Sequence, residues 1–274
     1  MYQHPSVIEN LRKLASYGNK IIDATHGELA SGLVGQGRMA EPLYILEEIK
    51  RHFATSTSFS GKNVVITAGP TYEHLDPVRF IGNHSTGKMG YSIAENFAEK
   101  GANVTLISGP VALVLNENSN INVVRVNSAE EMLEATQKVV KKADIIIFAA
   151  AVADYRPKSF SNQKIKKNND SMSIEMIKNP DIAFEIGRIK TKKQLTVGFA
   201  LETENEEENA RKKLIKKNLD MIVLNSLNDK GAGFMHNTNK ITILEQNKIQ
   251  KFELKSKKEV ANDIVEAIAK KLNL

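Results

Sequence analysis

A continuous apolar run, Ile145-Ile146-Ile147-Phe148, is preceded by Asp144 and followed at once by Ala149-Ala150-Ala151-Val152-Ala153-Asp154-Tyr155. A strand that is apolar at every position is buried on both faces, as in a parallel sheet covered by helices. Ligands of such sheets gather outside the carboxyl ends of the strands. The alanines at this end let a flat group approach the backbone, and Asp154 brings a carboxylate. The basic run Lys164-Ile165-Lys166-Lys167 follows on a polar loop. Small residues, an acid and lysines at one strand end point to a nucleotide site.

Strand and helix signals alternate around this run. Residues 63–68 are β-branched and end at Gly69-Pro70-Thr71, and residues 85–100 form an amphipathic helix stopped by Gly101. Strands are expected at 103–107 and 121–126, and Ser128 with Glu131 makes a capping box for a helix to residue 142. Asn179-Pro180-Asp181 reads as a helix start with Asn179 as N-cap and Pro180 at the first helical position. A strand at 195–200, a helix at 206–217 and a strand at 221–225 come next. Residues 240–244 and 248–254 read as a hairpin about Gln246-Asn247, and Ser256 with Glu259 caps a closing helix to residue 272. The expected fold is α/β: a Rossmann-like, doubly wound, mostly parallel sheet with helices on both faces and a C-terminal β-hairpin.

The front of the chain has another texture. Val7, Leu11, Leu14 and Ala15 recur at helical spacing before Gly18, and a second helix runs from near Pro42 toward Phe53. Residues 27–39 between them are a glycine-rich loop that includes Ser31, and residues 54–58 are a polar linker. Acidic and basic residues balance at six each in residues 1–54, so the chain's net charge of +6 lies downstream. With little apolar material and no strand of its own, this short helical extension reads as the tail of something larger. Two domains are expected, residues 1–60 and 61–274.

Composition excludes several classes. The chain has no cysteine, hence no disulfide, thiolate metal site or cysteine nucleophile. No apolar run approaches the roughly 20 residues that span a bilayer, and a cytoplasmic setting without membrane contact is expected. The positive net charge favours an anionic partner. Ala68-Gly69-Pro70-Thr71-Tyr72-Glu73 lacks the dinucleotide-binding glycines, and Gly82-Asn83-His84-Ser85-Thr86-Gly87-Lys88 continues with Met89 where a P-loop needs Ser or Thr. Gly87-Lys88-Met89-Gly90 opens a helix; on local pattern it is first a tight packing turn and second an anion site.

Lys213 and Lys217 share a helix face and lack acids four residues earlier, whereas Glu207–Arg211 and Glu208–Lys212 have that spacing. A solvated face is the ordinary reading of such a helix, and a triphosphate contact the sharper one. His74, His84 and His236 show no metal-ligand spacing, and no Ser-His-Asp arrangement is identifiable. A nicotinamide-dependent dehydrogenase is opposed by the missing glycine fingerprint. A nucleic-acid-binding module is opposed by the aromatic content of 6% and the absence of a stacking or groove-reading motif.

Several motifs occur together and in order. They are Ile66-Thr67-Ala68-Gly69-Pro70-Thr71, Asp76-Pro77-Val78-Arg79-Phe80-Ile81, Asn83 to Gly90, Ala150 to Tyr155, Lys164 to Lys167, Lys178-Asn179-Pro180-Asp181-Ile182, Gly198-Phe199-Ala200 and Lys216-Lys217-Asn218-Leu219-Asp220. Residues 61–274 thereby resemble bacterial phosphopantothenoylcysteine synthetase, the second domain of the bifunctional coenzyme A biosynthesis flavoprotein. The resemblance implies a ligase that joins 4′-phosphopantothenate to L-cysteine through an acyl-cytidylate, with release of pyrophosphate and CMP.

By the same resemblance Asn83 holds the intermediate and Arg79 serves the second half-reaction. Lys164 belongs to a loop that closes over the site, and Ala151 lines the substrate. Phe148, Ala149, Ala150, Asp154, Pro180, Asp181, Ile182, Ala183, Phe199, Lys213 and Lys217 meet the nucleotide. Mg²⁺ would accompany CTP without a dedicated protein cage. A homodimer is implied, with a higher oligomer only where a full decarboxylase domain is present. No nucleic acid is implied as a partner.

The front piece, through Met1-Tyr2-Gln3-His4-Pro5, Asn10-Leu11 and Gly35-x-Gly37-Arg38-Met39-x-Glu41-Pro42, resembles the end of the flavin-dependent decarboxylase of the same family. The flavin-binding strands and catalytic histidine of that domain are not among these residues, and Ser31 stands where the family often has cysteine. FMN is expected only with an intact decarboxylase domain. An absorbance spectrum of the purified chain is therefore expected to lack a stoichiometric flavin band; such a band would overturn this expectation.

Overall fold

In the computed structural model the described residues are 2, 4–28, 32–53, 58–115, 120–166, 171–226 and 236–274. Ser31, Lys167 and residues 54–57 of the polar linker lie outside them. The chain divides into two compact units, Met1–Thr55 and Ser56–Leu274.

The first unit contains α1 (Pro5–Ser16), β1 (Thr25–Glu28), β2 (Val34–Arg38) and α2 (Pro42–Phe53). The expectation of helices joined by a loop is corrected here, because β1 and β2 pair antiparallel within the glycine-rich stretch. Their ladder satisfies backbone groups without an apolar face, so no alternating pattern announces it. α1 is capped by His4, whose side chain accepts from Ser6 N at 3.3 Å.

The second unit starts with β3 (Asn63–Ala68), β4 (Tyr72–His74), β5 (Phe80–Gly82), α3 (Lys88–Glu99), β6 (Asn103–Ser108) and β7 (Ile121–Arg125). It continues with α4 (Ala129–Val140), β8 (Ile145–Phe148), β9 (Tyr155–Pro157), β10 (Met176–Lys178), α5 (Ile182–Ile189), β11 (Leu195–Glu202), α6 (Glu206–Lys216) and β12 (Met221–Ser226). β13 (Thr238–Asn239), β14 (Ile241–Leu244), β15 (Ile249–Lys251), β16 (Lys255–Ser256) and α7 (Lys257–Leu272) close it. Eight strands form one sheet in the order β15-β14-β12-β11-β8-β3-β6-β7. It is parallel from β7 to β12, with β14 and β15 antiparallel at one edge. The chain thus begins at mid-sheet, winds out to β7, returns beside β3 as β8 and winds out the other way. This is the doubly wound α/β fold expected from the strand and helix rhythm.

β8 shows why the run at 145–148 could only be central. Ile145, Ile146 and Ile147 are all fully buried. Ile145 and Ile147 join the cluster that holds residues of α3 and α7, while Ile146 and Phe148 join the cluster of α4, α5 and α6. Successive side chains point to opposite faces, so a strand covered on both sides has no polar position. Each such isoleucine contributes roughly 2 kcal/mol of burial free energy. No helix among the described residues is long and apolar enough to cross a membrane.

Helix starts depart from expectation in instructive ways. α3 begins at Lys88, not at Ser85, because Gly87 has φ +76° and lies outside helical space. α5 is capped by Asp181, whose side chain accepts from Phe184 N at 3.1 Å, and Asn179 is committed elsewhere. Ser128 caps α4 through Glu131 N, but the Glu131 carboxylate accepts from Asn127 N, one residue early for a capping box. Ser256 and Glu259 form the full box. Three small antiparallel pairs, β4–β5, β9–β10 and β13–β16, have no counterpart in the sequence reading.

The turns after β3 and β6 touch backbone to backbone. A Cβ on Gly109 would lie 1.7 Å from Pro70 O, and one on Gly90 would lie 2.6 Å from Ala68 Cβ. The glycines around Lys88 therefore seat α3 against the sheet, which is the packing role their local pattern favoured. Gly109→Ala is expected to destabilise the second unit by about 3 kcal/mol, read as a lower urea midpoint; a wild-type midpoint would refute this close approach.

Candidate active site

The candidate site lies where the chain's two windings diverge, at the carboxyl ends of β3 and β8. Beyond the ladder itself, Ala149 N donates to Thr67 O at 3.1 Å and Ala151 N to Gly69 O at 2.9 Å. Thr71 Oγ1 accepts from Ala153 N at 3.0 Å. The two strand ends are thus held together as far as Ala153. Asn83, in the loop after β5, bridges to the same edge: its Nδ2 donates to Val152 O at 2.9 Å and Ala151 O at 3.3 Å. Its carboxamide oxygen meets no polar partner among the described residues.

Arg79 reaches the lysine loop. Its guanidinium binds Asp76 through Nε at 3.0 Å and through Nη2, and Nη2 also donates to Ile165 O at 2.9 Å. Asp76, fully buried, accepts in addition from Val78 N, Arg79 N and Ile165 N. This arrangement ties the lysine loop to the turn between β4 and β5. Lys164 and Lys166 flank Ile165, are exposed, and have no ion pair among the described residues.

Asp154 is exposed and its carboxylate likewise has no partner among the described residues. Asn179, 6% exposed, donates to Ala153 O at 2.8 Å and accepts from Arg156 Nη1 at 3.0 Å. That commitment explains why the helix cap falls to Asp181. Ile182 and Ala183 are buried in the first turn of α5, and Pro180 precedes it half-buried.

Lys213 and Lys217 correct a premise of the sequence reading, since each has an acidic partner from another element. Lys213 Nζ lies 2.6 Å from Glu202 Oε1 at the end of β11, and Lys217 Nζ lies 3.0 Å from Asp181 Oδ2. Glu208–Lys212 is paired at 2.6 Å as its spacing implied, but Glu207 pairs with Lys251 instead of Arg211. Lys217 O packs on Gly187, where a Cβ would come within 2.1 Å, and its side chain reaches back along α5 to the cap.

The expected residues at the ends of β8 and β11 and at the start of α5 divide between the faces of the sheet, while Lys217 lies next to Asn218 near the amino end of β11 and reaches the α5 cap only through its side chain. Ala149 and Phe199 pack on the α3–α7 cluster, whereas Phe148, Ala150, Ile182 and Ala183 belong to the α4–α5–α6 cluster. A cleft of about 550 Å³ bounded by Glu130, Arg156, Lys178, Asn179 and Pro180 adjoins the second group. The larger concavity of about 630 Å³, around Asn63, Asn103, Asn120, Lys138 and Lys142, sits at the opposite, amino-terminal edge and holds none of these groups. Among the described residues no cluster of three His, Cys, Asp or Glu forms a metal cage.

Asp76, Glu202 and Arg156 escaped the sequence reading. Asp76 had a signal, an acid three residues before Arg79 in a Pro-containing turn; Glu202 had none, being eleven residues from Lys213. The Arg79 guanidinium holds the Asp76 carboxyl well below the usual carboxylate range, aided by N–H donation from Ile165, Val78 and Arg79 against the opposing effect of burial. A carboxylate depressed in the folded state stabilises it above the unfolded pKa of about 4 and loses that contribution as pH falls further. Asp76→Asn is expected to unfold at lower urea than wild type at neutral pH, with the gap narrowing at about pH 3; a pH-independent gap would refute an ionised Asp76.

The profile of the DNA/pantothenate metabolism flavoprotein C-terminal domain matches residues 59–272. The chain is 52% identical over 273 residues to a protein of an unknown prokaryotic organism named cysteine/cysteine sulfinic acid decarboxylase, covering 98% of this chain and 76% of that one. It is 46% identical over 268 residues to the coenzyme A biosynthesis bifunctional protein CoaBC of Haemophilus influenzae, covering 98% of this chain and 66% of the relative. Among solved structures, a C-terminal domain of CoaBC superposes with a TM-score of 0.67 at 42% identity, covering 80% of this chain and 99% of that domain. The chain belongs to the DNA/pantothenate metabolism flavoprotein C-terminal domain family.

Proposed function

We propose that residues 61–274 form a phosphopantothenate–cysteine ligase of coenzyme A biosynthesis that uses CTP. The observation that supports this reading is the alanine strand end of β8, joined to the end of β3 as far as Ala153 and bridged by Asn83, with the carboxylate of Asp154 next to it and without a partner among the described residues. The relatives named for coenzyme A biosynthesis support it.

Both substrates of the first step are anionic, so cations must offset their repulsion while positioning brings carboxylate and α-phosphorus together. An oxygen of the phosphopantothenate carboxylate attacks the α-phosphorus of CTP, and the bond to pyrophosphate breaks. The amine of cysteine then attacks the acyl carbon of the mixed anhydride, loses a proton and expels CMP. No covalent enzyme nucleophile is required. In this scheme Lys213 and Lys217 exchange Glu202 and Asp181 for phosphate oxygens, Lys164 meets the intermediate, and Asn83 orients its pantothenoyl amide. Mg²⁺ would supply charge screening to the triphosphate when bound; such an ion keeps waters and takes phosphate oxygens more readily than a dedicated protein cage. A homodimer is part of the same reading.

Pyrophosphate release that requires both CTP and 4′-phosphopantothenate, with amide formed only when cysteine is present, is the expected result. Activity with ATP alone would discard the choice of base, and release of CO₂ from cysteine without nucleotide would favour a decarboxylase instead. Asn83→Asp is expected to fold normally yet ligate roughly a hundredfold more slowly; wild-type turnover in that variant would remove Asn83 from the site.

A further inference from the structure

The Asp76–Arg79 pair does more than neutralise itself. Its two side chains grip the backbone of one residue of another segment: Asp76 Oδ2 accepts from Ile165 N at 3.1 Å, and Arg79 Nη2 donates to Ile165 O at 2.9 Å. The carboxylate's other oxygen is held by Val78 N at 2.9 Å and Arg79 N at 2.8 Å, which fixes its orientation within the β4–β5 turn. Ser161 N, four residues before Ile165, donates to Leu75 O at 3.0 Å, giving the loop a second tie to the same turn. The side chain of Asp76 is fully buried while those of Lys164 and Lys166 are exposed. The clamp recognises backbone, and the lysines on either side of it remain available.

We propose that Asp76 is the positioning residue of the lysine loop: through Ile165 it sets where Lys164 stands at the crevice, without touching substrate itself. The catalytic consequence rests on the ligase reading above; the clamp rests on geometry alone. The carboxylate suits this role better than an amide of the same size. It accepts on both oxygens from N–H donors only, whereas asparagine would turn an NH₂ toward Arg79, Ile165 or the turn. Bonds between charged partners in a buried setting are also the stronger kind. Losing them frees the loop locally and leaves the sheet intact, since neither Asp76 nor Ile165 belongs to the hydrophobic clusters.

The test compares wild type with Asp76→Asn in two arms. In limited trypsin digestion, initial cleavage after Lys164 and Lys166 is expected to rise about tenfold in the variant, with cleavage after Lys138 in α4 unchanged. In steady-state ligation, kcat is expected to fall about tenfold while KM for CTP moves less than about threefold, because Lys213 and Lys217 do not depend on the clamp. Unchanged loop cleavage would overturn the clamp, and increased cleavage with wild-type kcat would overturn the positioning role. Ligation absent from wild type itself would refute the ligase reading, and the digestion arm, which uses no substrate, would still decide the clamp. Should Asp76→Asn fail to fold, Ile165→Pro deletes the donated N–H while leaving Asp76 bonded within its own turn; cleavage after Lys166 alone is then read, because trypsin does not cut before proline, and the same outcomes apply to it.

Discussion

The parallel pairing of β3 with β8, Val64 opposite Ile145 through Thr67 opposite Phe148, is the constraint on which the rest of this structure depends. One strand is followed by a crossover to β6 through α3, and the other by a crossover to β11 through α5. These helices cover opposite faces of the sheet. The two connections must therefore part company at the carboxyl ends, and the gap they leave is the crevice. Ala149, Ala151 and Ala153 continue the hydrogen bonding past the last ladder pair. Side chains larger than methyl at these positions would narrow the crevice without improving the sheet.

Electrostatics at this edge are closer to balance than the net charge of +6 suggests. Arg79, Lys213 and Lys217 each hold a carboxylate, while Asp154 and Lys164 have no ion pair among the described residues. Half-exposed pairs of this kind are worth little as stability and are readily exchanged. Under the proposed function, an incoming triphosphate competes with Glu202 and Asp181 for cations already in place, so little cost arises from holding unpaired charge in the empty crevice. Asp76 differs, because its burial and five donors make its pairing with Arg79 a fixed part of the structure.

The sheet was legible in the sequence because its signals are local. Ile145-Ile146-Ile147-Phe148 has no polar position, and helices such as α4 and α7 carry their caps in adjacent residues. The short hairpins were not, since strands of three residues such as β9 and β10 owe their pairing to tertiary position rather than to any periodic pattern. Asn179 and Asp181 are both good N-cap residues; the choice fell to Asp181 only because Ala153 and Arg156 engage Asn179 from distant parts of the chain. For the same reason Lys213 and Lys217 read as unpartnered, their acids lying outside the helical spacing that reports on neighbours. The candidate site residues themselves came mainly from family resemblance, with Asp154, the alanine strand end and the lysine run from Lys164 the part that residue chemistry alone supplied.

Oxygen transfer tests the central claim most directly. If the carboxylate of phosphopantothenate attacks CTP, one carboxylate oxygen must leave with CMP. Ligation of substrate labelled with ¹⁸O in that carboxylate, followed by mass spectrometry of the CMP, is predicted to place a single labelled oxygen on its phosphate. Unlabelled CMP formed alongside amide product would contradict an acyl-nucleotide, and with it the role assigned to the crevice at β3 and β8.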